Sequence, residues 1–123
     1  MDPTEMRQVK MPNAFHGELK NIAKSRSIYL REVYDDAIRW FVTYRSRFGK
    51  YDQYLTSPRE GTYKSMWLTS AVVAQVKVVS SDDGVSENRV IYTSLYLYAH
   101  YIVNGRTPRE SIAGTKNIVD VLR

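Results

Sequence analysis

The fold turns on one stretch, Met6-Arg7-Gln8-Val9-Lys10-Met11-Pro12-Asn13, and on its return 57 residues later as Tyr63-Lys64-Ser65-Met66-Trp67-Leu68-Thr69-Ser70. Val9 and Met11 alternate with Gln8 and Lys10, the period of two that marks a strand with one face buried. Pro12 has no N–H to give to a ladder, so it ends the strand, and Pro12-Asn13 makes a good helix start. In the second copy Met66 and Leu68 take the places of Val9 and Met11, and Thr69-Ser70 opens the helix.

Phe15, Leu19, Ile22 and Ala23 then recur at helical spacing, which predicts a short amphipathic helix ending in the polar turn Lys24-Ser25-Arg26-Ser27. Ser27 suits an N-cap, and Leu30, Val33, Tyr34, Ala37, Ile38, Phe41 and Val42 line one face of a longer helix running to about Ser46. The second copy repeats this order. Val72, Val76 and Val79 mark a helix, Ser81-Asp82-Asp83-Gly84 is the turn, and Val90, Ile91, Ser94, Leu95, Tyr98 and Ile102 mark a long helix from about Ser86 to Val103, stopped by Asn104-Gly105.

The two copies align without a gap from Met6/Tyr63 through Ser46/Val103, with identities at Ala14/Ala71, Lys20/Lys77, Val33/Val90 and Tyr44/Tyr101. The repeat is therefore one of pattern and spacing more than of letters. It divides a single 123-residue domain into a unit over 4–46, a linker over 47–61, a unit over 62–104 and a tail over 105–123. Gly49, Pro58 and Gly61 among polar residues predict a surface-exposed linker with one turn of helix around Tyr51 to Leu55. Pro108 starts a helical tail whose Ile112, Ile118, Val119 and Leu122 are expected to cover the core or meet another protomer.

Composition narrows the function classes. With 43% hydrophobic and 25% charged residues the chain has the balance of a folded domain. The absence of cysteine excludes disulfides, thiolate catalysis and cysteine-held metal clusters, and fits a reducing compartment. No apolar run approaches a membrane span and Met1 to Pro12 lacks the apolar core of a secretory signal, so a soluble, cytoplasmic protein without membrane association is expected. A net charge of +5 favours a polyanionic partner.

Catalytic signals are missing. His16 and His100 fall on predicted helices, His16 without an acidic or nucleophilic neighbour in sequence, and suit surface or packing roles. Asp35-Asp36 and Asp82-Asp83 lack calcium-loop spacing and read as solvated charge. There is no phosphate-cradling glycine loop, nucleophile elbow or dinucleotide fingerprint, so neither an enzyme nor a bound cofactor or metal is expected.

Each unit resembles the ribbon-helix-helix family of Arc and MetJ: a strand ending near Pro12, a short helix, a polar turn, then Ser27-Ile28-Tyr29-Leu30-Arg31-Glu32-Val33 opening a longer helix. Two units in one chain look like the TraY-type conjugation proteins. The resemblance covers Met6 to Ser46 and Tyr63 to Val103. The second unit departs from the pattern in lacking the proline and in carrying Trp67 in its strand. It implies a mainly α fold with one two-stranded antiparallel β-ribbon, a tandem pseudo-dimer whose ribbon enters the major groove of double-stranded DNA. The expected role is transcriptional repression, or accessory binding at a plasmid transfer or partition site.

With Val9, Met11, Met66 and Leu68 facing the core, the opposite strand faces carry Met6, Gln8, Lys10, Tyr63, Ser65 and Trp67, the candidate base readers. Gln matches adenine N6 and N7, Lys matches guanine O6 and N7, and an aromatic face matches the thymine methyl. Because the two strands differ, an asymmetric target is expected. Gln8 and Lys10 would equally suit a solvated strand face, and Trp67 a core position.

Candidate phosphate contacts cluster at the starts of the longer helices: Arg26, Ser27, Ile28, Tyr29 and Arg31 in the first unit, and Val85, Ser86 and Asn88 in the second. Unpaired amides and the helix dipole favour an anion there. Asp82, Asp83 and Glu87 beside the second start make the first the firmer grip. Tyr92, Tyr96, Tyr98 and Tyr101 read as core and interface residues. A competing reading keeps the fold without DNA binding and uses the tyrosine-rich helix and tail to hold another protein or a second copy of the chain.

Overall fold

The computed structural model describes residues 3–103. Six elements follow one another: β1 (Thr4–Met11), α1 (Asn13–Arg26), α2 (Leu30–Phe48), β2 (Thr62–Thr69), α3 (Ser70–Asp83) and α4 (Glu87–Val103). The protein is mainly helical, with β1 and β2 paired as one two-stranded antiparallel sheet. The expected tail, with Pro108, Ile112, Ile118, Val119 and Leu122, and the stop at Asn104-Gly105 lie outside the described residues.

The strand alternation sets what is buried. Val9 and Met11 from β1 and Met66 and Leu68 from β2 are almost wholly shielded from solvent. Two strands alone bury too little apolar surface to persist in water. Here the sheet is closed from below by helices, β1 packing on α4 and β2 on α2. Each strand thus rests on a helix from the other half of the chain.

Beneath the sheet, α2 and α4 pack against each other. Trp40 of α2 meets Tyr98 and Tyr101 of α4 edge-on, with ring centroids 6.1 and 5.4 Å apart. Edge-to-face geometry sets the positive ring edge against the negative face of its neighbour. The residues identical between the two halves in these helices, Val33, Val90, Tyr44 and Tyr101, are all buried.

The linker departs from expectation. It forms no helical turn, and Tyr51 and Tyr54 are buried against Phe41, centroids 5.2 and 5.8 Å away. The Tyr54 hydroxyl donates to Asp83 Oδ2 at 2.6 Å, Thr93 Oγ1 accepts the Leu55 N–H at 2.9 Å, and Arg89 donates to the Tyr54 carbonyl at 2.7 Å. Side chains and backbone groups that a free linker would give to water are satisfied on the core instead.

Asp83 and Asp35 likewise are not solvated charges. Both are buried. Arg45 forks onto Asp83 with Nε–Oδ2 and Nη2–Oδ1 distances of 2.8 and 2.6 Å, so a bidentate charge-assisted pair ties α2 to the end of α3. Burial pushes the Asp83 carboxyl upward, but the hydrogen bonds from Arg45 and Tyr54 and the Arg45 charge outweigh it and hold it below the usual carboxylate range. Asp35 accepts the Thr69 N–H at 3.2 Å, and burial raises its carboxyl.

Candidate nucleic-acid interface

The antiparallel register sets Met6 opposite Trp67, Gln8 opposite Ser65 and Lys10 opposite Tyr63. All six therefore share the sheet face turned away from the helices. Met6 is 41% exposed, Tyr63 66% and Trp67 55%; Gln8 and Ser65 are exposed and Lys10 half-buried. Trp67, which sequence pattern alone equally suits to a core, stands on the open side.

The ribbon's other face carries charge at its margins. Arg7, directly opposite Met66, ion-pairs with Glu87 of α4 at 3.2 Å and with Glu5 at 3.6 Å. Lys64, opposite Val9, donates to Asn13 Oδ1 at 2.7 Å, which also accepts the Thr62 hydroxyl at 3.1 Å. These bonds fix the ribbon on α1 and α4.

The start of α2 differs from its expected form. Ser27 is the left-handed residue that ends α1, φ 55°, and its N–H bonds back to the Lys24 carbonyl at 3.2 Å. Tyr29 is the N-cap of α2. A left-handed residue ends a helix by satisfying its last carbonyls, so Ser27 cannot also cap the next one. The Glu32 carboxylate accepts the Tyr29 N–H at 2.7 Å, the returning half of a capping box. Sequence reasoning passed over Glu32; its signal was the three-residue spacing, visible only once the helix start moves from Ser27 to Tyr29.

Among the candidate phosphate contacts of the first unit, the structure separates Arg31 from Arg26. Arg26 donates to the Tyr98 hydroxyl and pairs with Asp36 at 3.6 Å, so it links α1 to α4 and α2. Arg31 is exposed, its guanidinium 5.2 Å from the centre of the exposed Tyr29 ring. Ile28 is half-buried against the core. The first-turn amides of Leu30 and Arg31 have no acceptor within the helix, as at any helix N-terminus.

A cleft of about 610 Å³ joins this helix start to the ribbon, lined by Ser65 and Trp67 from β2, Leu30 and Arg31 from α2, and His16 and Tyr34 behind them. Two base-reader candidates and one phosphate candidate thus share one concavity. Tyr34 Oη lies 3.4 Å from His16 Nε2. Burial and then the charges of Lys20 and Lys64 lower the His16 pKa, which favours the neutral ring. Burial raises Tyr34 to about 12.

Family models, curated proteins and solved structures give no match to this chain.

At α4 the corresponding start is built differently. Ser86 caps it as expected, its Oγ accepting the Arg89 N–H at 3.2 Å. The carbonyl of the half-buried Val85 accepts the Ser80 hydroxyl, and Asn88 is exposed. Glu87 brings a carboxylate to the first turn and holds Arg7 there. Among the described residues no group of three or more metal-ligating side chains converges, and no helix is long and apolar enough to cross a membrane.

Proposed function

We propose that the chain is a tandem ribbon-helix-helix protein that inserts its β-ribbon into the major groove of double-stranded DNA and reads sequence there. The observation that carries this reading is the outer ribbon face: six side chains able to meet base edges, five exposed and Lys10 half-buried, share a face that no helix among the described residues covers. A two-stranded ribbon fits the width of the B-DNA major groove.

The tandem arrangement has its own support. α1 and α3 start 57 residues apart, as do α2 and α4. Gln8 and Ser65, separated by the same 57 residues, pair directly across the ribbon. An offset that maps one strand onto the other while pairing equivalent residues is what a local two-fold axis through that pair produces. This supports the reading of the chain as the family's intertwined dimer built in one chain.

Arg31 and the net charge of +5 supply the sequence-independent attraction. The role that fits is repression of transcription, or accessory binding at a plasmid transfer or partition site. Selection from random duplexes at moderate salt, then titration of the enriched site with wild type and a Gln8→Ala, Lys10→Ala double variant, tests the reading. An enriched sequence whose binding the double variant loses is the expected result; no enrichment overturns it.

A second reading has one observation in its favour. Phe15 of α1 meets Tyr92 of α4 edge-on and Tyr96 at a tilt beside an open groove of about 450 Å³, and Tyr96 is exposed. That surface suits a protein partner, and on this reading the fold serves protein contact without DNA binding.

A further inference from the structure

We infer that the two ends of the ribbon face read different chemistry, so that the duplex site consists of a guanine met by Lys10 and, no more than about four base pairs away, a thymine methyl met by Trp67 and Met6. This rests on the ribbon entering the major groove and adds which half recognises what.

The register carries the argument. On either side of the Gln8–Ser65 pair, the open face holds Lys10 opposite Tyr63 at one end and Met6 opposite Trp67 at the other. Lys10 is the only cation among the strand residues on that face. Guanine O6 and N7 are the paired acceptors that an ammonium reaches in the major groove. The opposite end holds a thioether and an indole, both substantially exposed. The one apolar group on any major-groove base edge is the thymine methyl, and covering it removes apolar surface from water at both partners.

Distance limits the separation. Met6 and Lys10 are four residues apart, about 14 Å along a strand at about 3.4 Å per residue. Bases rise by about 3.4 Å each, so the span matches at most about four base pairs.

The flanks differ in a way that complements the readers. Beside Trp67, the cleft presents Arg31; on the β1 side Arg7 is held by Glu87. The apolar end of the ribbon therefore has the exposed Arg31, set over the Tyr29 ring, next to it, whereas at the other end Lys64 is held by Asn13 and the cation on the open face is the base reader Lys10.

The selected duplex is made with single thymine→deoxyuridine changes, which delete one methyl, and single guanine→7-deazaguanine changes, which delete one N7 acceptor. Each is titrated with wild type, Trp67→Ala, Trp67→Phe and Lys10→Ala. One deoxyuridine position should weaken wild type about fourfold, the worth of one buried methyl. That loss should vanish with Trp67→Ala and persist in part with Trp67→Phe. One deazaguanine position should weaken wild type about tenfold and lose its effect with Lys10→Ala.

Specific binding with no methyl coupled to Trp67, or with both positions coupled to the same side chain, overturns the inference and leaves the ribbon reading standing. Absence of any enriched duplex overturns both. Trp67 and Lys10 lie on the open face, and unchanged thermal unfolding of the variants separates a lost contact from a lost fold.

Discussion

Arg7 of β1 and Glu87 at the start of α4 form an ion pair, Nε to Oε1 3.2 Å, whereas Leu30 stands at the corresponding start of α2. The carboxylate suits the positive end of the helix dipole and at the same time occupies the position a phosphate would take. One half of the molecule thus offers a cation at the flank of the ribbon, and the other has neutralised its own.

Replacing Glu87 by Gln should loosen Arg7, which keeps Glu5 at 3.6 Å, and, if the ribbon binds duplex DNA as proposed, remove a carboxylate that repels phosphate. Affinity for a duplex is expected to rise several-fold, and the slope of log affinity against log salt to steepen by about one. Both partners are partly exposed, so stability should change by less than about 1 kcal/mol. Titration over a salt series checks this, and weaker binding by the variant would sink it.

The Asp83 network predicts a larger effect on stability. Its side chain is fully shielded, receives Arg45 through two bonds and Tyr54 through one. Asp83→Asn keeps the shape but removes the nearer of the two carboxylates that pair with Arg45, leaving Asp82 at 3.8 Å, at a cost of about 2–4 kcal/mol, the lower end applying because Asp82 remains and Arg45 retains some solvent. Tyr54→Phe removes one hydrogen bond to a charge and should cost about 1.5–3 kcal/mol. Urea unfolding of both variants measures the two values.

How much of this was legible in the sequence depends on which physical signal a residue gave. Val9, Met11, Met66 and Leu68 are buried because strand period alone forces them to one face. Tyr51 and Tyr54 gave no period. Their burial follows from rings that find Phe41 and a hydroxyl that finds Asp83, contacts remote in sequence. Asp83 itself read as solvated because its partner, Arg45, lies 38 residues away. Ser27 read as a cap because it has a capping side chain, yet backbone geometry assigned it to the end of α1. Local chemistry was readable, as was the pairing of β1 with β2 that the resemblance implied; long-range side-chain pairing was not.

Acid should expose the same network. The Asp83 carboxyl lies below its ordinary value of 3.8, so the unfolded chain takes up the proton first as pH falls. Its contribution is complete above that value and is lost as pH drops through the folded-state pKa. Asp35, raised by burial, works in the opposite sense and gains stability on protonation. The difference in unfolding free energy between wild type and Asp83→Asn should therefore shrink on acidification below about pH 4. A difference constant from neutral to strongly acid pH would show that Asp83 is not held ionised.

Gly61 sets the entry to β2. A Cβ there would lie 2.8 Å from the Met11 carbonyl carbon and 3.0 Å from its oxygen, contacts with backbone that no rotamer change relieves. The end of β1 and the start of β2 approach this closely because Met11 pairs with Thr62, the residue after Gly61. Gly61→Ala must push the strands apart at the end that carries Lys10 and Tyr63, at a cost of about 1–3 kcal/mol by analogy with an overfilled core. If Lys10 and Tyr63 read bases, the same displacement weakens duplex binding more than stability loss alone explains. Titration well below the variant's unfolding temperature separates the two. Unfolding shifted with binding intact would show that the Lys10 end of the ribbon makes no sequence-dependent contact.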